Sequence, residues 1–222
     1  MGEHIILTAS DGFKLGAYRA DPVGPPRGGI VVIQEIMGVN HHIRAMTDLY
    51  AAQGYLALAP AMFDRAEPGF EVGYDGPSVQ RGMGIAGKLD RAKMMLDAAA
   101  AIDYVRSAGK VGIVGYCMGG TVAYLAACRL PGLSAASGYY GGGVLAAKDE
   151  SARIPTILHF GSKDAHIPVA GVKEFEALHP TLPVYVYDAD HGFNCDERGS
   201  YDAPSAALAR QRTFDFFKQE IG

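Results

Sequence analysis

A short segment in the middle of the chain constrains the fold most. The apolar residues 111–114 lead into Gly115-Tyr116-Cys117-Met118-Gly119, and a helix-forming run over residues 121–129 follows. This order predicts a nucleophile elbow, a sharp strand-to-helix turn that lifts one side chain above the edge of a sheet. The flanking glycines fit, because a Cβ at either position would collide with the turn. Cys117 occupies the raised position, where Ser is usual, and predicts nucleophilic thiol chemistry.

The composition limits the classes of protein to which the chain can belong. Its 222 residues are 49% hydrophobic, which suits one domain over residues 1–222 with a substantial core. The net charge of -4 comes without a basic block, so we expect no nucleic-acid partner. We see no apolar run of roughly 20 residues and no secretory signal, so no membrane association is expected. Three cysteines without scaffold-like spacing favour a reducing, cytoplasmic setting.

Short apolar runs alternate with amphipathic stretches, which indicates an α/β sheet with helices on its faces. Strands are predicted at residues 5–8, 13–18, 29–33, 55–59, 110–114, 135–140, 156–160 and 184–187. Helices are predicted at residues 41–53, 89–107, 121–130, 172–179 and 205–220. One face of the long helix is expected to carry Leu89, Ala92, Leu96, Ala99 and Tyr104. Residues 62–87, rich in Gly, Pro and charge, are predicted to form a loop or short irregular excursion.

Two further residues complete a predicted catalytic group. A thiol nucleophile needs a base, and His191 follows the strand at residues 184–187 in a segment with turn chemistry. Asp164 follows the strand at residues 156–160 and is the candidate orienting acid. The chain order Cys117, Asp164, His191 is the α/β-hydrolase order of nucleophile, acid and base. His166 is the nearest rival base, but it lies in the loop of the acid.

The loop after the third strand, Gln34-Glu35-Ile36-Met37-Gly38, carries an unusual carboxylate. An oxyanion hole should combine the backbone N–H of Met118 with an N–H from this loop. A carboxylate there would repel the developing negative charge. Glu35 is therefore interpreted either as an ion-paired loop residue or as a second acid/base that contacts the Cys117 thiol.

Four motifs together resemble the dienelactone hydrolases (carboxymethylenebutenolidases). They are Gln34-Glu35-Ile36-Met37-Gly38-Val39-Asn40, Gly115-Tyr116-Cys117-Met118-Gly119-Gly120, Gly138-Tyr139-Tyr140-Gly141 and Asp190-His191-Gly192-Phe193. The resemblance runs over nearly the whole chain. It implies an α/β-hydrolase fold with a mostly parallel sheet of about eight strands and no large cap domain. It also implies a small ester or lactone substrate and no cofactor.

The resemblance assigns roles to individual residues. Cys117, His191 and Asp164 would form the triad, with Ile36 and Met118 as the oxyanion donors. Glu35 would lie beside the resting thiol, and substrate would displace it so that it helps to take the thiol proton. Tyr139, in the third motif, would contact substrate.

A pair of arginines clamps the substrate carboxylate in the family, and the chain matches this feature incompletely. Arg65 falls on one of the two positions. The second should stand four residues after His191, where this chain has Cys195. Losing one arm forfeits roughly 1.5–3 kcal/mol, or about 10- to 100-fold in affinity. Arg198, in the same loop, is the alternative second arm.

Three functions therefore compete. The first is hydrolysis of a small ester or lactone, with a carboxylate on the substrate as an option, by a monomer or small homo-oligomer. The second is a non-catalytic or redox-responsive binding protein, in which Cys195 could pair with Cys117. The third is a metal hydrolase with His191 and Cys195 as ligands, for which the spacing suggests no third ligand, so no metal is expected.

Overall fold

Eight strands form the centre of the molecule. A computed structural model describes residues 2–222. The strands are β1 (Glu3–Thr8), β2 (Lys14–Ala20), β3 (Gly29–Ile33), β4 (Leu56–Pro60), β5 (Val111–Tyr116), β6 (Ala135–Tyr139), β7 (Thr156–Gly161) and β8 (Val184–Tyr187). Their order in the sheet is β1-β2-β4-β3-β5-β6-β7-β8. β2 pairs antiparallel with both β1 and β4, and the remaining pairs are parallel. The predicted mostly parallel α/β sheet is confirmed.

Helices connect the strands. They are α1 (His41–Ala52), α2 (Gly76–Ala86), α3 (Arg91–Val105), α4 (Met118–Arg129), α5 (Gly143–Ala146), α6 (Val169–Leu178) and α7 (Ala203–Glu220). Two short 3₁₀ helices lie at Met62–Arg65 and Arg106–Ala108. Within residues 2–222, every helix is too short or too polar to span a bilayer.

The central strands are buried on both faces, which explains their unbroken apolar sequences. Successive side chains of a strand point to opposite faces. In β3, Ile30 and Val32 enter the core that also contains residues of α1 and α7, whereas Val31 and Ile33 enter the core formed with α3 and α4. Helices therefore cover both faces of the sheet, as predicted.

The buried face of α3 differs from the prediction. Ala92 is exposed, and Leu89, Leu96, Ala99 and Tyr104 are only partly buried. The face that packs on the sheet contains Met94, Met95, Asp97, Ala98, Ala101, Ile102 and Val105. The run of four alanines leaves the hydrophobic stripe poorly defined, and the buried Asp97 carries a charge that pattern reading assigns to solvent.

The prediction for residues 62–87 was wrong over about half of the segment, because it contains α2. The Asp75 carboxylate caps this helix by accepting the N–H of Ser78, and Pro77 lies in the first turn. Gly82 packs so closely that a Cβ would collide with the Ile36 carbonyl oxygen. Capping and tertiary packing thus outweigh the poor helix propensity of its glycines.

Candidate active site

The elbow has the conformation that its sequence predicts. Cys117 lies between β5 and α4 with φ 55° and ψ -117°, a region that side-chain-bearing residues rarely adopt. A Cβ on Gly115 would collide with the Gly119 carbonyl, and a Cβ on Gly119 would collide with the Ile33 carbonyl. Because α4 begins at Met118, the thiol lies at a helix N-terminus, where the dipole favours negative charge.

Three loops bring the predicted catalytic side chains together at the carboxyl edge of the sheet. His191 Nε2 lies 3.2 Å from Cys117 Sγ, and His191 Nδ1 lies 2.7 Å from Asp164 Oδ2. The other carboxylate oxygen of Asp164 accepts the backbone N–H groups of His166 and Ile167, at 2.8 and 3.2 Å. These bonds fix the acid, which in turn orients the imidazole. The centre of the His166 ring lies 5.8 Å from the centre of the His191 ring, so His166 does not come between the acid and the thiol.

The protonation of His191 is set by its two neighbours. Burial lowers the pKa of His191, but the hydrogen bonds to Asp164 and Cys117 and their charges outweigh it and raise the pKa to about 10. Burial opposes ionisation of Asp164, yet its hydrogen bond to His191 and the backbone N–H of His166 hold its pKa below the ordinary value. At neutral pH this favours an imidazolium between a carboxylate and the thiol.

The two expected oxyanion donors lie beside the thiol. Ile36 and Met118 line the same cavity as Cys117. Across residues 2–222, the backbone N–H groups of Ile36 and Met118 are without a backbone acceptor. Met118 is the first residue of α4, where an N–H has no partner inside the helix. Both groups are therefore available to a ligand.

Glu35 makes its polar contacts with groups other than the thiol in the part of the chain that the structure describes. Its buried carboxylate accepts the Tyr74 hydroxyl at 2.7 Å, and its other oxygen lies 3.3 Å from an Arg198 nitrogen. The thiol is paired with His191 instead. The ion contact to Arg198 is favourable, and the Tyr74 ring, 4.9 Å from the guanidinium carbon, stacks on the same cation. Glu35 therefore makes an ion contact with Arg198, whereas Cys117 is paired with His191.

Arg65 does not reach the site, which corrects the expected carboxylate clamp. Its guanidinium donates to Asp97 at 2.7 and 2.8 Å and to Asp11 at 2.9 and 3.1 Å. Asp97 is fully buried in α3, so its charge needs a cation at this position. Arg198, not Arg65, lines the cavity with Cys117.

Tyr139 also lies elsewhere, and its neighbour takes the expected place. The Tyr139 ring is buried against His159 at 4.4 Å, and its hydroxyl lies 2.7 Å from the Thr213 hydroxyl. Tyr140 lines the cavity, with its ring 5.1 Å from that of His191. A φ of 36° at Tyr140 turns the chain after β6 and directs this second tyrosine to the site.

Comparison with known proteins identifies the family. Residues 15–221 match the model of the dienelactone hydrolase family. The chain belongs to this family. The carboxymethylenebutenolidase of Pseudomonas putida is 36% identical over 228 residues, covering 96% of this chain and 95% of that protein. A Synechocystis protein named "putative carboxymethylenebutenolidase" is 34% identical, covering 98% and 96%. A Klebsiella pneumoniae crystal structure described as a "putative dienelactone hydrolase" superposes with a TM-score of 0.84 at 31% identity, covering 98% and 99%.

Membership in the dienelactone hydrolase family shows a hydrolase of the α/β-hydrolase class. The site also contains residues that the sequence did not assign, namely Tyr74 and Tyr140. Tyr74 lies 43 residues before Cys117 in the irregular segment, so no local pattern connects it to Glu35. Tyr140 could have been considered through the Tyr139-Tyr140 pair, because adjacent residues at a strand end point in different directions.

The candidate metal ligands differ from those considered on sequence. Both nitrogens of His191 face Asp164 and Cys117, which leaves none for a metal. Instead His42, Cys195 and Asp196 each offer one ligand atom, all within 4.8 Å of one another, and these are zinc-type donors. Burial, followed by the charge of Glu35, raises the pKa of Cys195 to about 12, which opposes the thiolate that a metal requires.

Proposed function

We propose that this dienelactone hydrolase family member cleaves a carboxylic ester or lactone through Cys117, by way of a thioacyl-enzyme. The observation that carries the proposal is the continuous contact from Asp164 through His191 to Cys117, with distances of 2.7 and 3.2 Å. The named carboxymethylenebutenolidases among its relatives give further support.

The first half of the reaction forms the thioester. The imidazolium of His191 and the N-terminus of α4 stabilise the thiolate of Cys117, which attacks the ester carbonyl. The N–H groups of Ile36 and Met118 receive the developing oxyanion. When the tetrahedral intermediate collapses, His191 donates its proton to the departing alkoxide, which leaves as the alcohol. In a lactone this hydroxyl remains on the acyl group.

The second half restores the enzyme. His191 is now neutral and accepts a proton from a water molecule that attacks the thioester. The same two N–H groups stabilise the second tetrahedral intermediate, and the carboxylic acid leaves. Asp164 keeps the imidazole in the orientation that both halves need.

Arg198 is the candidate group that binds a substrate carboxylate. Its side chain is 17% exposed, and its Nε atom is buried without a hydrogen-bond partner among residues 2–222. A second carboxylate could satisfy this donor while competing with Glu35 for the guanidinium. Release of Glu35 would then allow its carboxylate to approach the thiol, the role that the family resemblance implies.

The redox-responsive alternative has less support. It requires Cys195 to react readily, but this thiol is buried and its pKa is raised to about 12. Thiolate character and exposure control cysteine oxidation, and Cys195 has neither.

The test compares Cys117→Ala with the parent on p-nitrophenyl acetate and on a panel of lactones. Loss of the nucleophile is expected to lower kcat/KM by at least about 1,000-fold. Cys128→Ala is the matched control, because Cys128 is buried in α4 away from the cavity and should leave turnover within twofold. Parental turnover by Cys117→Ala would refute the proposal.

A further inference from the structure

The cavity that contains Cys117 is larger and more apolar than its chemistry requires. Its volume is about 490 Å³, within the range that holds drug-sized ligands. The reacting groups and Arg198 come from loops at the carboxyl edge of the sheet. Three helices, α2, α3 and α4, add apolar residues to the wall, namely Val79, Met83, Ala86, Met94, Val122 and Leu125. We call these six residues the apolar groove.

The apolar groove is a built feature and not a gap between loosely packed helices. α2, which supplies Val79, Met83 and Ala86, is fixed over the oxyanion loop by the close contact of Gly82 with the Ile36 carbonyl. Met94, Val122 and Leu125 belong to the core between the sheet and α3 and α4. Met83 is 60% exposed, so part of the apolar groove is open to solvent.

We infer that the apolar groove binds a hydrocarbon chain or aromatic ring of the substrate, so that the preferred esters or lactones carry an apolar group of about six to eight carbons. This inference rests on the proposed function. The apolar groove is continuous with the reacting groups, because Met83, Ala86 and Leu125 line the same cavity as Cys117. A compact polar lactone would leave that wall in contact with water, whereas a hydrocarbon group would cover it.

The expected size of the effect follows from the transfer of methylene groups out of water. Each buried CH₂ should raise kcat/KM by about threefold to fourfold. With p-nitrophenyl esters from acetate to decanoate, we expect this rise up to hexanoate or octanoate and no rise beyond. A flat or falling series from acetate onwards would overturn the inference, and hydrolysis through Cys117 would stand.

A variant that fills the apolar groove tests whether the rise in kcat/KM with chain length arises there. Ala86→Phe places a ring in the apolar groove and should lower the octanoate-to-acetate ratio of kcat/KM at least tenfold. Leu178→Phe is the matched control, because Leu178 is 53% exposed on α6, away from the cavity, and should leave the ratio unchanged. An unchanged ratio in Ala86→Phe, with its fold intact by circular dichroism, would place the hydrocarbon elsewhere and contradict the assignment.

A binding measurement separates this inference from the catalytic proposal. Decanoate is titrated calorimetrically into Cys117→Ala, in which no thioester can form. We expect saturable binding with a negative heat-capacity change, and at least tenfold weaker binding when Ala86→Phe is added. This result would support the apolar groove even if the parent hydrolysed no ester. Undetectable binding of decanoate would overturn it.

Discussion

Two partly buried arginines, Arg65 and Arg198, lie in regions that satisfy their charge to different degrees. The Arg65 cluster, made of Arg65, Asp97 and Asp11, contains four hydrogen bonds between the guanidinium and carboxylate oxygens. The Arg198 cluster, made of Arg198, Glu35, Tyr74 and Tyr140, has one ion contact to the arginine, at 3.3 Å.

The difference extends to the other polar atoms of the Arg198 cluster. Arg198 Nε, Glu35 Oε1 and the Tyr140 hydroxyl are buried and have no hydrogen-bond partner among residues 2–222. Such atoms cost free energy unless a ligand or water pairs with them. Complete pairing is expected of a structural arginine such as Arg65, whereas incomplete pairing in the cavity that contains Cys117 supports the proposal that Arg198 binds a ligand.

The largest expected effect on stability comes from breaking the Arg65 cluster. Arg65→Ala leaves the buried Asp97 without its cation, and we expect the free energy of unfolding to fall by about 3–5 kcal/mol. Arg65→Met/Asp97→Leu, which removes both charges, should recover most of the loss. Urea denaturation measures both variants. If Arg65→Ala were as stable as the parent and lost activity only on anionic esters, Arg65 would be the residue that binds the substrate carboxylate.

Breaking the Arg198 cluster should affect substrate selection instead. Arg198→Gln is expected to lower kcat/KM by about 10- to 100-fold for esters that bear a carboxylate, and by less for neutral esters. Steady-state kinetics on a matched pair, such as monomethyl and dimethyl esters of one diacid, gives the selectivity. Glu35→Gln/Arg198→Gln controls for the unpaired Glu35. Equal losses on both esters would contradict the role of Arg198.

Two histidines, one paired inside the core and one in the candidate site, also differ in the direction of their pKa shifts. His159 is paired inside the core with the Tyr187 hydroxyl at 2.9 Å and the Thr213 hydroxyl at 3.1 Å. Burial lowers the pKa of His159 to about 3, whereas the pKa of His191 is raised to about 10. Against an unfolded value near 6.5, His159 therefore contributes stability that is lost as pH falls from about 6.5 towards 3. His191 contributes stability that is lost as pH rises from about 6.5 towards 10.

The opposite pKa shifts of His159 and His191 predict how the stability of the protein changes with pH. Lowering the pH from 7 to 5 should cost about 2 kcal/mol through His159. His159→Gln should remove that part of the acid-side slope, and His191→Asn should flatten the alkaline side. Unfolding free energies by urea at pH 5, 7 and 9 measure both slopes. An acid slope that is unchanged in His159→Gln would contradict the assignment.

The two adjacent tyrosines give the smallest expected effect. Tyr139→Phe removes a hydroxyl paired with Thr213 and should cost about 1 kcal/mol of stability without a change in substrate selection. Tyr140→Phe removes an unpaired hydroxyl, so stability should be unchanged or slightly higher, while KM rises for substrates that bond it. Thermal unfolding measures the stability of both variants, and steady-state kinetics measures their KM. If Tyr139→Phe raised KM and Tyr140→Phe lowered stability, Tyr139 would be the tyrosine at the site.

The sheet and the meeting of Cys117, Asp164 and His191 could be predicted from sequence, for a physical reason. Each residue lies within four residues of the carboxyl end of a strand, and the carboxyl ends of parallel strands meet at one edge. Part of the elbow is also local, because a Cβ on Gly115 would collide with Gly119, four residues later, whereas the requirement for Gly119 comes from the Ile33 carbonyl of a neighbouring strand. The order of the strands along the chain and short-range steric limits were therefore sufficient to predict that these three residues meet.

The misplaced residues depend on interactions that sequence patterns do not encode. The family resemblance assigns Arg65 to substrate, but its partner Asp97 lies 32 residues away on a helix face that the sequence pattern does not predict correctly. Tyr139 and Tyr140 differ only in side-chain direction, which the φ of 36° at Tyr140 determines. The position of Glu35 depends on Tyr74 and Arg198, which are distant in sequence. Long-range pairing decided the positions of Arg65 and Glu35, whereas a local backbone turn decided which of the two tyrosines reaches the cavity.

The central claim is that Cys117 becomes acylated during turnover, and one measurement tests it directly. A p-nitrophenyl ester is mixed with the parent, the reaction is quenched within milliseconds in acid, and the digested protein is analysed by mass spectrometry. We expect the acyl mass on the peptide that contains Cys117, formed within one turnover and absent from Cys117→Ala. Turnover without any acylated peptide, or with the acyl group on another residue at the rate of turnover, would contradict it.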